Sequence, residues 1–150
     1  MKFLCDQMFG TLAKWLRICG FDTFYANTQQ TDDDLLKIAK NDERILISRD
    51  KKLLWTAKRE NLKVIEVTST EIDTQLHQVL RDTSFDKTAV LSRCLLCNSI
   101  LNDISKKDVK NKVPEKVFEN NAVFWYCPNC KKIYWRGTHY EDMLKKIDEL

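Results

Sequence analysis

The chain has 150 residues, 43% hydrophobic and 31% charged, with a formal net charge of +3. That is enough for one sizeable core, or for a compact domain with a small appendage, and it excludes a disordered polyelectrolyte. No apolar run approaches the roughly 20 residues a bilayer-spanning helix needs; the chain meets Asp6 too early for a secretory signal, so a cytoplasmic protein is expected.

In chain order, residues 2–5 read as a short apolar strand that runs into Asp6. From Met8 the apolar positions Leu12, Trp15, Leu16 and Cys19 recur at helical spacing, and Gly20 supplies a stop. "DTFYA" (22–26) is a second strand. Thr31 and Asp34 fit a capping box opening a helix whose inner stripe is Leu35, Ile38 and Ala39. "RILIS" is a third strand, apolar on both faces, ahead of Asp50, and residues 51–60 form a helix. "LKVIEV" (62–67) is a fourth strand, followed by a helix with Ile72, Leu76, Val79 and Leu80 on one face.

Strands alternating with helices imply βαβ units and a short parallel sheet. The carboxyl ends of parallel strands share one edge, where open α/β sheets bind ligands. Asp6, the Asp32–Asp33–Asp34 run and Asp50 all fall on that edge. Each alone would serve as a helix N-cap. Several together repel unless protonated or neutralised, and hard oxygen donors suit Mg²⁺ or Mn²⁺.

The remaining chemistry lies further on. Residues 82–92 have no periodicity and read as a linker between a domain of residues 1–81 and a segment of residues 93–150. The first 92 residues carry 14 basic and 14 acidic side chains, so the whole excess of +3 falls in residues 93–150. Cys94-x-x-Cys97 and Cys127-x-x-Cys130 have the spacing of a four-thiolate zinc site, with 29 residues between the pairs. Iron would fit the same cage, and redox pairs or free thiols are the other readings. Cys5 and Cys19 read as small buried residues. His139 is a fifth metal candidate by residue type, but four thiolates already close a tetrahedron, so a polar surface role is expected of it. Around the second pair, Trp125, Tyr126, Tyr134, Trp135 and Tyr140 mix with Lys131, Lys132 and Arg136, a combination that can stack unpaired bases and hold phosphates, or pack on the metal site and a neighbouring domain.

"DQMFGTLAKWLRICGFDT", "DDDLLKIA", "ILISRDKKLL", "RCLLCN" and "CPNCKKIYWRGTH" together resemble the Mut7-C RNase family over nearly the whole chain. The resemblance implies an α/β, PIN-like three-layer α/β/α fold followed by a small zinc-ribbon domain. It implies Mg²⁺- or Mn²⁺-dependent cleavage of RNA, single-stranded by expectation, at Asp6, the Asp32–Asp33 pair and Asp50. Arg17, Arg49, Lys131, Lys132, Arg136 and Trp135 are the expected nucleic-acid contacts. Phe9, Lys14 and Ser48 depart from the family's usual leucine, arginine and threonine. A non-catalytic nucleic-acid-binding module with a structural zinc site is the alternative.

Overall fold

Phe3, Leu4 and Cys5 are fully buried in β1 (Lys2–Cys5), as a strand covered on both faces requires. The computed structural model describes residues 1–149, apart from the side chains of Thr138 and His139; the reading of His139 therefore lies outside the described residues. A short 3₁₀ turn leads into α1 (Gly10–Ile18), then β2 (Asp22–Tyr25), α2 (Asp32–Asn41), β3 (Ile45–Ser48), α3 (Lys51–Arg59), β4 (Val64–Glu66) and α4 (Ile72–Leu80). The four strands form a parallel sheet in the order β2-β1-β3-β4.

Side chains along each strand alternate between two cores, as the strand period of two dictates. Phe3, Cys5 and Ile47 join Leu12, Leu16 and Cys19 of the α1 region and Leu76 and Val79 of α4. Leu4 and Leu46 join Leu35, Leu36 and Ala39 of α2 and Leu53, Leu54 and Ala57 of α3. Helices thus cover both faces. Burial raises the thiols of Cys5 and Cys19 to about 12, which makes them inert packing groups.

Segment 82–92 is anchored to the first unit by a few of its residues, with Asp82, Ser84, Asp86, Lys87 and Thr88 exposed. Phe85 and Val90 lie against the α1/α4 core, Leu91 is buried in it, and the Leu91 N–H donates to the Ile18 carbonyl at 2.8 Å. Gly20, at φ +93°, comes so close that a Cβ there would stand 2.4 Å from the Ala89 carbonyl oxygen; only glycine fits. Beyond it an antiparallel sheet, ordered β5-β6-β7, comprises β5 (Asn102–Ile104), β6 (Phe124–Tyr126) and β7 (Ile133–Trp135). Two short helices, α5 (Lys106–Val109) and α6 (Glu115–Asn120), fill the excursion between β5 and β6. The last helix, α7 (Thr138–Asp148), turns back onto the first unit. Tyr140 and Ile147 are buried in the α1/α4 core, and the Lys146 ammonium lies 5.2 Å from the Trp15 ring centroid and 2.6 Å from an Asp73 carboxylate oxygen. No helix among the described residues is long and apolar enough to cross a membrane.

Candidate active site and metal centre

The chain runs from β1 outward to β2, then returns past β1 to β3, so the strand order reverses between β1 and β3. Crevices at such reversals open at the carboxyl ends of the strands. Asp6 and Asp50 follow the two strands that flank this point. The Asp6 N–H continues the ladder by donating to the Ile47 carbonyl at 3.0 Å. One Asp6 carboxylate oxygen caps the 3₁₀ turn, accepting from the Gln7 N–H at 2.8 Å; the other accepts from the Ser48 hydroxyl at 2.8 Å. The same Ser48 oxygen accepts the Asp50 N–H at 3.0 Å. Asp50 is the N-cap of α3, with one carboxylate oxygen accepting from the Lys52 and Leu53 N–H groups. Both aspartates therefore are caps, as residues of this type at strand-to-helix junctions should be, and a fully buried serine ties them together.

The acidic run divides by hydrogen bonding. Asp34 and Thr31 form the expected capping box, at 2.9 and 3.2 Å, and the Thr31 N–H draws the Asp34 carboxyl below its usual range. Asp32 and Asp33 are exposed in the first turn of α2 and accept no hydrogen bond among the described residues. Among the described residues, none of Asp6, Asp32, Asp33 and Asp50 takes part in an ion pair. These four carboxylates are without an ion-pair partner among the described residues, and hard cations suit such oxygens. Their oxygens do not gather into a compact ligand group like that of the cysteines. Glu66 was not among the expected acids. It pairs in register with Ser48 at the carboxyl end of β4 and brings a further acidic residue to the edge; its place at the end of "VIE" was the available signal.

The expected cations divide too. Arg49 is exposed; its Nε donates to the Met8 sulfur at 2.9 Å and its guanidinium lies 5.9 Å from the Phe9 ring centroid. Arg17 is only 8% exposed, and its guanidinium donates to the Thr23 carbonyl at 3.0 Å and the Leu95 carbonyl at 2.8 Å. It holds the first cysteine turn to the sheet, and its donors face protein rather than a phosphate. Lys131, Lys132 and Arg136 are exposed and lie over aromatic rings: Tyr126, Tyr134, and both Trp125 and Tyr140, respectively. Tyr134 and Tyr140 are buried, whereas Trp125, Tyr126 and Trp135 keep part of their surface in water.

The four cysteines meet. Their sulfurs all lie within 4.8 Å of one another, and the Cys97 and Cys127 sulfurs are 3.4 Å apart. Two like-built turns bring them in. The Asn98 N–H donates to the Cys94 carbonyl and the Lys131 N–H to the Cys127 carbonyl, each at 2.9 Å, and both Asn98 (φ 71°) and Lys131 (φ 63°) adopt the left-handed conformation. Four thiolates around zinc at about 2.3 Å would stand roughly 3.8 Å apart, so the cage could hold zinc. The thiols do not ionise alike on their own. Burial opposes ionisation of Cys97, but hydrogen bonds from Ser99 and Asn129 outweigh it and bring its thiol down to about 5. The Cys97 thiolate in turn pushes Cys130 up to about 12. A divalent cation would take all four as thiolates.

The first turn is also bolted to the sheet edge. The Asn98 side chain accepts the Thr23 N–H of β2 at 3.0 Å and donates to the Asp22 carboxylate at 2.7 Å, while Arg93 donates to the Gly20 carbonyl at 3.2 Å.

Compared with known protein families, residues 1–147 match the family model described as "Mut7-C RNAse domain". No curated protein matches the chain.

Proposed function

Because the chain belongs to the Mut7-C RNase family, which suggests a nuclease-type function with RNA as substrate, we propose that it is a PIN-like, Mg²⁺- or Mn²⁺-dependent ribonuclease that cuts single-stranded RNA within the chain. The observation that carries this reading is that one buried hydroxyl bonds both Asp6 and Asp50 at the strand-order reversal, while Asp32 and Asp33, at the start of α2, make no side-chain hydrogen bond or ion pair among the described residues. Asp6, Asp50 and one of Asp32 and Asp33 would hold the cation. A few carboxylates suffice for Mg²⁺, which keeps several waters and takes phosphate oxygens into its shell. The ion would supply an activated water and stabilise the departing oxygen.

The protein's own part is positioning. Ser48 and the first turn of α3 fix the two aspartates, and Arg49 can hold a flanking phosphate. The first-unit histidine, His77, is exposed on α4 and the mechanism does not use it. The four cysteines would hold zinc as a structural ion that braces the ribbon, where Trp135, Lys131, Lys132 and Arg136 can add RNA contacts.

The test is cleavage of mixed labelled RNAs by the full chain in Mg²⁺, in Mn²⁺ and in EDTA, with Asp50→Asn beside it. Cleavage that EDTA and Asp50→Asn both abolish supports the enzyme. Binding without cleavage in any metal would make the chain a non-catalytic RNA-binding module.

A further inference from the structure

Helix α3 begins at the carboxylate edge, with Asp50 as its cap, and its inner and outer faces differ sharply in chemistry. Leu53, Leu54 and Ala57 are buried in the core. Lys51, Lys52, Trp55, Lys58 and Arg59 are all exposed, and their spacing of three and four residues puts them side by side on one outer face. No carboxylate falls between Lys51 and Arg59, and none of these four cations is in an ion pair among the described residues. In their midst Trp55 is 58% exposed, with the Arg59 guanidinium 4.7 Å from its ring centroid.

An ordinary solvated helix face intersperses both signs of charge and keeps large aromatic rings inside. Here the cations make no ion pair among the described residues, and more than half of the Trp55 surface is exposed. Phosphates and unpaired bases would satisfy both at once, since bases stack on aromatic faces and Lys and Arg hold the backbone. A membrane surface would require a broad apolar strip, and this face offers a single aromatic residue.

We propose that the outer face of α3 is a track for unpaired RNA running away from the carboxylate edge, with Trp55 stacking a base and Lys51, Lys52, Lys58 and Arg59 gripping phosphates. The track rests on the nuclease reading for its direction, because a strand held at Asp50 meets α3 first.

The experiment measures anisotropy of a fluorescein-labelled, unstructured single-stranded RNA on the full chain in zinc-containing buffer free of Mg²⁺, Mn²⁺ and chelator, where a nuclease dependent on those ions cuts nothing and the four-cysteine site stays loaded. Trp55→Ala should weaken binding roughly 5- to 150-fold, the range expected for one missing base stack, and Trp55→Phe should restore most of it. Replacing Lys58 and Arg59 together by Gln should lower the slope of log affinity against log salt by roughly 0.7 for each phosphate no longer neutralised. Because these side chains are exposed, their removal leaves the core intact. Unchanged affinity in Trp55→Ala together with an unchanged salt slope in the double variant would overturn the track. So would a defect confined to phosphatidylcholine–phosphatidylglycerol vesicles, which would assign the face to a membrane, or one confined to duplex RNA. Cleavage in Mg²⁺ is scored separately. RNA that binds through Trp55 but is never cut sinks the nuclease and keeps the track; RNA that is cut, and that both variants bind with wild-type affinity and salt slope, does the reverse.

Discussion

The Ser48 hydroxyl donates to the Asp6 carboxylate at 2.8 Å, and through the Asp50 N–H the same oxygen fixes the start of α3. Ser48→Ala should strip both bonds and lower stability by roughly 1–3 kcal/mol, the cost of leaving such groups unpaired. Ser48→Thr keeps the hydroxyl and should recover most of that. Urea unfolding and RNA cleavage should fall together in the alanine variant. Wild-type values in both would show that the hydroxyl sets neither aspartate.

Asp32 and Asp33 share one helical turn but point in different directions, about 100° apart around the axis. One of them should therefore matter for metal and the other should not. In thermal unfolding with and without Mg²⁺, Asp6→Asn, Asp50→Asn and one of Asp32→Asn and Asp33→Asn should lose the Mg²⁺-dependent rise in Tm. Metal-free Asp50→Asn should be as stable as wild type or more so, because asparagine caps about as well and like-charge repulsion is relieved. A wild type that gains nothing from Mg²⁺ or Mn²⁺ would refute the cation site.

Asn98 follows Cys97 directly and bonds to Thr23 of the edge strand, so the cysteine turn and the parallel sheet should fail in sequence. Cys97→Ser or Cys130→Ser should release metal and make residues 93–137 sensitive to protease. Hydrogen exchange should then accelerate at the Thr23 N–H while the Leu46 N–H, on a central strand, stays protected. Stoichiometric zinc in either variant would count against the four-cysteine site, and an unchanged Thr23 rate would uncouple it from the sheet.

Asp22 gives a pH signature. Burial alone would raise its carboxyl, but hydrogen bonds from Arg44, at 2.8 Å, and Asn98, at 2.7 Å, outweigh it and hold it below the usual range. A depressed folded pKa adds stability that is complete above the unfolded value near 3.9 and drains as pH falls through the folded one. Wild type should therefore lose stability more steeply than Asp22→Asn below about pH 4, with the two curves converging in acid. At neutral pH the substitution should cost roughly 1–2 kcal/mol. Parallel curves from about pH 5 to about pH 2 would contradict the assignment.

Much of the parallel sheet could be read locally. Apolar runs of three residues shortly before an aspartate, a Thr31–Asp34 capping box and two C-x-x-C turns are each signals contained within a few residues. The long-range bonds were not legible. Arg17 reaches Leu95 across 78 positions and Asn98 reaches Thr23 across 75, and no periodicity encodes such pairings. By its neighbours in the chain Arg17 reads as a free cation; only its burial in three dimensions removes it from that group. The exposure of Trp55 needed the structure as well, because an aromatic residue at helical spacing more often faces a core. Helices α5 and α6, of four and six residues, are too short to establish a period.

The return of α7 onto α1 bears on how the polypeptide is made. Synthesis is vectorial, and domains tend to fold from the N-terminal side as they emerge. Here the α1 and α4 surfaces that bury Tyr140 and Ile147 leave the ribosome before their cover has been translated. A stalled or truncated nascent chain would carry an open apolar seam, the kind of surface that holdase chaperones engage. Maturation of this protein is thus expected to wait for α7, with the seam closing only once that helix has cleared the exit tunnel.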